Sequence, residues 1–262
     1  MQKWIDVAQS LPAGRRVRIP CCKADNSLLV SHSLKGYNAY CFRCGFSEFV
    51  PHGIRRIADI NRHKAEFAIK QSGVKLPKDY TLDVPVEAAL WYMKVGISPE
   101  LARQYEIGYT PSLHRVVLPV RDIETGALDA VQMRAIRSFD KPKYLNPTGP
   151  AVAQAVFWSG PPDGVAIVVE DILSAIRVGR VAPTASILGT SMTDERASRI
   201  ATRVHTAILW LDPDKAGREG RINAYRQLAM QGVKVFKVST DLDPKYYNND
   251  EIREHLRNMK PC

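Results

Sequence analysis

The sequence predicts an α+β protein of several domains: a small cysteine-bearing hairpin unit, an α+β basic region, and an α/β unit on a parallel-core sheet. Three observations carry this. Four of the five cysteines lie between Cys21 and Cys44. RVVLPVRD followed by ETGALDAVQMRAI reads as a β-hairpin with Gly126 in its turn. From Val165 onward, apolar runs alternate with helix-compatible segments, and two of the runs end in acid, VAIVVED and TAILWLDPD. Short continuous apolar runs suit strands buried on both faces of a parallel sheet.

Bulk properties narrow the class. A chain of 262 residues with 45% hydrophobic content is globular and has length for real cores. No apolar run nears the roughly 18 residues of a membrane span. The opening MQKWIDVAQSLPAGRR lacks the apolar core of a secretion signal, so a cytoplasmic location is expected. The net charge of +10, from 37 basic and 27 acidic residues, favours a polyanion partner. Clustered cysteines in such a compartment point to metal more than to disulfides.

Residues 1–52 form the first expected unit. Arg15, Arg16 and Arg18 precede Cys21 and Cys22, and two short strands flank Lys35-Gly36. Cys41-Phe-Arg-Cys44-Gly is a knuckle whose turn aims both thiolates at one ion. The unit reads as a zinc ribbon, too small to fold without its metal. Cys21, Cys22, Cys41 and Cys44 are the expected Zn²⁺ ligands. The first pair is adjacent where ribbons usually space it, so His32 or Asp25 stands as an alternative ligand.

Residues 53–85 are expected to be a linker. GIRRIADINRHKAEFAIKQ is basic and helix-compatible, and Pro77 and Pro85 bracket a polar stretch. A ribbon so tethered can move relative to the body. Residues 86–160 form the basic region. VEAALWYMKVG has Ala89, Leu90 and Met93 at helical spacing, and Ser98-Pro99 can cap and open a second helix. After the hairpin comes RSFDKPKYLNPTG, with Arg137, Lys141, Lys143 and Tyr144. Such a loop can hold phosphates and stack a base, and its composition also fits a plain solvated loop.

Residues 161–262 alternate strand and helix. Four runs, VAIVVE, PTASILGT, TAILWL and KVFKVS, are each followed by polar or acidic residues. Carboxylates just past the C-terminal strand ends sit where open α/β sheets bind ligands. Glu170, Asp212 and Asp214 are therefore expected to converge on one Mg²⁺-type site, since hard cations take carboxylate oxygens. Asp241 and Asp243 leave the fourth run in the same sense and suit a second ion, about 4 Å away, as in phosphoryl transfer. The same acids would also serve as helix N-caps. Clustered carboxylates repel unless cations neutralise them.

These residues carry a resemblance. Glu170 with Asp212-Pro-Asp214-Lys-Ala-Gly217 resembles the TOPRIM domain of primases, topoisomerases and related nucleases. RVVLPVRD, AVQMRAI and KPKYLNP resemble the basic half of the RNA polymerase core of bacterial and phage primases, and YCFRCG resembles their N-terminal zinc-binding domain. In that order, the three resemble a primase over residues 15 to about 250. The resemblance implies a DNA-templated RNA polymerase making short primers from ribonucleoside triphosphates on single-stranded DNA. It implies Glu170 as a ligand or general acid/base, with Asp212, Asp214 and Asp243 holding Mg²⁺ or Mn²⁺. Arg134, Lys141 and Lys143 would hold nucleotide phosphates or template, joined by Tyr144 and Lys215. The ribbon would help read the template.

This chain departs from the family pattern. Asp171 follows Glu170 directly where the family often has Gly, with Ser174 further on. No GxxxxGK(S/T) run is present, so a replicative helicase is expected as a separate chain, as in phages, alongside a DNA polymerase. Two rivals share the acids: a TOPRIM nuclease, against which the basic region argues, and a non-catalytic DNA-binding relative, against which the intact acids argue. A topoisomerase would need strand-passage domains for which the chain lacks room.

Overall fold

In a computed structural model, the described residues are 4–22, 24–33, 36–51, 74–137, 140, 142–146 and 150–262. The basic segment at 53–71, Lys35 and Lys141 lie outside them. The fold is α+β with three sheets.

The N-terminal unit is an antiparallel sheet in the order β1 (Arg16–Cys21), β2 (Ala24–His32), β3 (Gly36–Cys41), β4 (Ser47–Pro51). Helix α1 (Trp4–Ser10) packs on β2 and β3. The expected β2–β3 hairpin is present, with His32 opposite Tyr37 and Leu28 opposite Cys41. Strands β1 and β4 are additions; both are largely exposed, so neither shows a buried apolar run. The unit's core is small: Ala8, Leu28, Val30, Ala39 and Cys41. A core of that size fits the expectation that metal completes the fold.

The middle region opens with helices α2 (Val86–Met93) and α3 (Pro99–Gln104). Ser98 caps α3 as expected, its Oγ accepting from the Leu101 N–H at 3.2 Å, with Pro99 in the first turn. The expected face of α2 is corrected. Ala88 and Tyr92 are buried, whereas Leu90 and Met93 are 49% and 45% exposed. Tyr92 offers more apolar surface than either, so the helix turns that face inward. Strands β5 (Gly108–Thr110), β6 (Arg115–Arg121), β7 (Leu128–Ala135) and β8 (Tyr144–Leu145) form the second antiparallel sheet in that order. Gly126 sits in the β6–β7 turn at φ +70°, a conformation that suits glycine. Chain before α2 docks on β5: Asp79 accepts from Thr110 Oγ1 at 2.6 Å and from the Ser112 N–H at 2.7 Å.

After α4 (Pro150–Gln154), the third sheet holds β9 (Phe157–Ser159), β10 (Gly164–Val169), β11 (Thr184–Ser186), β12 (Val204–Leu209), β13 (Lys234–Lys237) and β14 (Lys260–Pro261). Its order is β14-β13-β12-β10-β11-β9. The four central strands pair in parallel, and β9 and β14 close the edges antiparallel. Helices α5 (Ile172–Val178), α6 (Asp194–Ala201), α7 (Lys215–Ala229) and α8 (Asn249–Arg257) complete the unit. The apolar runs are explained by burial on both faces. Ile167, Val169, Ile208 and Trp210 enter one core, and Ala166, Val168, Ala207 and Leu209 enter another. The first core also takes Val116, Leu118 and Val120 of β6, so the antiparallel and parallel sheets share it.

A buried ion network ties the two. Arg199 of α6 pairs with Asp122 and, at 2.5 Å, with Asp129 on the β6–β7 hairpin, and Arg203 pairs with Glu124 at 3.2 Å. The N-terminal sheet meets the same unit from outside. Arg16 pairs with Asp194 at 2.7 Å, and the Arg226 guanidinium lies 5.3 Å from the Phe42 ring centre.

Candidate metal centres and nucleic-acid interface

The four thiols converge. Cys21, Cys22, Cys41 and Cys44 place their sulfurs within 4.8 Å of one another. Zn–S bonds of about 2.3 Å in a tetrahedron put sulfurs about 3.8 Å apart; Cys21–Cys44 is 3.9 Å and Cys22–Cys41 is 3.7 Å. The group therefore fits a zinc ion without His32 or Asp25. The His32 ring instead meets the Leu11 carbonyl. Adjacent ligands are possible because Cys22 takes a left-handed backbone, φ +42°, at the tip of the β1–β2 turn. Crowding splits the thiols. Burial pushes Cys21 up to about 12. The Cys44 and Arg43 backbone N–H groups hold Cys41, against its burial, at about 6.

The acids gather at the C-terminal edge of the parallel sheet. Glu170 follows β10 and is 8% exposed. Its Oε1 accepts the Asp212 N–H at 3.0 Å, which ties the ends of β10 and β12 together. Asp212 Oδ1 is buried and has no hydrogen-bond partner. Burial, then Glu170, Asp171 and Asp243, push the Asp212 carboxyl up to about 7, with Lys245 opposing. Glu170 is raised as well, chiefly by burial. Asp214 is an N-cap, its Oδ1 accepting the Gly217 N–H at 2.7 Å at the start of α7. Asp171 caps α5 in the same way, accepting from the Ser174 N–H at 3.0 Å and its Oγ at 2.7 Å. Asp241 is exposed. Among the described residues, the thiols alone form a group of three or more potential metal ligands so close together. A buried carboxylate oxygen without a donor, beside a second carboxyl raised chiefly by burial, still fits a divalent cation.

The raised carboxyls set a pH dependence. A folded-state pKa above the unfolded value of about 4 contributes stability below that value and loses it as pH climbs through the folded pKa. Thermal midpoints of the ion-free chain should therefore fall between about pH 4 and 7, Asp212 reaching about 7. Asp212→Asn should flatten that fall. An unchanged slope in the variant would assign it to other groups.

Three features escaped the sequence reading. Lys245 Nζ lies 2.7 Å from Asp243 Oδ2 and 3.0 Å from Asp171 Oδ2, a cation among the acids. The signal was the lysine in LDPK itself. The packing role of Gly217, named above only as part of a motif, is the second. A Cβ there would stand 2.1 Å from the Asp212 carbonyl oxygen and 2.6 Å from Glu170 Oε1. Gly217→Ala should cost about 1–3 kcal/mol in urea denaturation, the range for overpacking; a neutral result would contradict this packing. The third is Trp210. It is fully buried, and its Nε1 donates to Thr240 Oγ1 at 2.9 Å, anchoring the loop that carries Asp243.

A basic, aromatic patch lies near the acids through Tyr144. Strand β8 pairs Tyr144 with Arg134 of β7. The Arg134 guanidinium lies 5.1 Å from the Tyr144 ring centre and 5.6 Å from that of Trp91. Burial raises Tyr144, and Asp171 and Lys245 are close enough to act on it electrostatically. Lys143 is exposed, 6.0 Å from the Tyr144 ring centre. Lys215 is exposed at the start of α7, beside Glu219 at 3.9 Å. No helix among the described residues is long and apolar enough to cross a membrane.

The chain is similar to known proteins in sequence and fold. Residues 167–250 match the family described as Toprim-like. The DNA primase of Halalkalibacterium halodurans is 32% identical over 192 residues, covering 64% of this chain and 32% of that protein. The DNA primase of Aquifex aeolicus is 25% identical over 232 residues, 66% of this chain and 44% of that protein. The crystal structure of the Aquifex aeolicus primase zinc-binding and RNA polymerase domains shares the fold, with TM-score 0.60 and 20% identity, covering 100% of this chain and 87% of that one. The chain thus spans less than half the length of these curated relatives.

Proposed function

We propose that this chain, which carries a Toprim-like domain and has the fold of a bacterial primase's zinc-binding and polymerase domains, makes short RNA primers on single-stranded DNA. The observation that carries the reading is two chemistries side by side. Glu170, Asp212 and Asp243 lie at the sheet edge, and Tyr144, whose ring centre is 5.1 Å from the Arg134 guanidinium, is within electrostatic reach of Asp171 and Lys245 there. Acids alone suit cleavage or synthesis equally; a basic, aromatic wall suits holding a template and an incoming nucleotide.

In this reading, Asp212 and Asp214 hold Mg²⁺ or Mn²⁺, with Asp243 at the rim, and Glu170 stands beside them as the proton acceptor and not as a ligand. When bound, the ion supplies charge neutralisation at the phosphoryl oxygens. The 3′-OH of one nucleotide attacks the α-phosphorus of the next; the new P–O bond forms as the bond to pyrophosphate breaks. Glu170, buried and raised, accepts the hydroxyl proton. Arg134 and Lys143 contact phosphates, with Lys215 at the mouth and Lys141, outside the described residues, assigned to the same surface. Tyr144 lies against the base or ribose. The zinc ribbon reads the template, and the primer is substrate for a DNA polymerase.

The test is incubation with labelled single-stranded DNA templates and four ribonucleoside triphosphates, with products sized. Template-dependent RNA of growing length is expected. Shortened DNA and no RNA would replace this reading with a nuclease.

A further inference from the structure

We propose, resting on the acid-centre reading above, that Lys245 is a tethered cation occupying the place of a second divalent ion, so that the centre takes one such ion and not two. Two carboxylates from separate strand ends, Asp171 after β10 and Asp243 after β13, both point at its ammonium, at 3.0 and 2.7 Å. A second ion held by Asp171 and Asp243 would compete for these same oxygens. The lysine side chain is 16% exposed, so the pair is largely shielded from solvent. Its reach is short and fixed: Pro244–Tyr246 form a 3-10 turn in which the Tyr246 N–H donates to the Asp243 carbonyl at 3.0 Å.

The carboxylates divide accordingly. Asp171 is spoken for, since Ser174 donates to both of its oxygens and Lys245 shares Oδ2. Asp243 Oδ2 is likewise engaged. Asp212 Oδ1, in contrast, is buried and without a donor. Asp212 thus keeps an oxygen unengaged for a cation, while Asp243 already holds one in the Lys245 ammonium. An ion arriving at Asp243 would have to expel the ammonium and sit beside it, and like charges a few ångströms apart repel strongly where water is scarce. A Lys is suited to this role as a compact point charge with three donors.

The experiment counts ions directly. The full chain, with its zinc in place, is titrated with Mn²⁺ and the free ion is followed by electron paramagnetic resonance. One Mn²⁺ per wild-type chain is expected at the acid centre. Lys245→Met should bind two, the tighter of them at least about tenfold more strongly than wild type, since a unit charge near a dication has been removed. Lys245→Arg, which keeps the charge, should stay at one. Two ions on the wild-type chain would overturn the proposal, and this count stands even if the Met variant does not fold. So would a Met variant with wild-type count and affinity. Asp212→Asn separates the two levels of inference. If that variant still binds Mn²⁺ as wild type does, the acid-centre reading itself fails; if it loses the ion while Lys245→Met changes nothing, the Lys245 proposal alone fails.

Discussion

Asp212→Asn should lower primer synthesis on single-stranded DNA at least about a thousandfold, roughly 4 kcal/mol of lost transition-state stabilisation. The substitution preserves volume and the backbone N–H that Glu170 Oε1 accepts. What it removes is the charge on a buried carboxylate of the sheet edge whose Oδ1 has no donor. The same change should strengthen the ion-free fold near neutral pH, because Asp212 is held up by burial and by Glu170, Asp171 and Asp243. An inactive chain that melts higher would be the signature of a charge kept for function against the interest of the fold. Near wild-type synthesis would remove Asp212 from the centre. An inactive chain that melts lower would mean that the substitution damaged the structure.

Replacing Cys41 and Cys44 together by Ser should remove one equivalent of zinc and unfold residues 4–51. Structural zinc contributes an apparent 10–16 kcal/mol or so in zinc-finger peptides, while the unit's own core is only Ala8, Leu28, Val30, Ala39 and Cys41. Cys41 has both roles, since it is a thiol of the cluster and is fully buried in that core. Limited proteolysis should cut the N-terminal unit and spare the shared core of the two larger sheets. Primer initiation and template choice should suffer more than nucleotide binding. Unchanged zinc content would refute the four-thiol site.

Legibility followed burial. Strands β10 and β12 were visible because alternate residues enter two different cores, leaving unbroken apolar runs. Ser98-Pro99 announced α3 through the chemistry of its cap. Strands β1 and β4 were not visible, because their exposed side chains leave no apolar pattern and their pairing partners are set by sheet geometry. For α2, periodicity announced a helix but not its inward face; Tyr92, not Leu90 or Met93, meets the neighbouring core.

At the acid edge, the order of residues along the chain settles which chemistry arrives: two carboxylates after β10, two after β12, two after β13, and two cysteine pairs on a hairpin unit. Those are local properties, because a residue's place past a strand end follows from the run before it. The tertiary structure alone decided which of these groups meet. The left-handed turn at Cys22 lets adjacent thiols share one ion. Asp171 and Asp214 cap helices, Asp212 is left with a bare buried oxygen, and Lys245 is drawn between Asp171 and Asp243. Lys245 and Asp171 are 74 residues apart in the chain, and an electrostatic contact at 3 Å over that separation exists only once the sheet order has brought β10 and β13 to either side of β12.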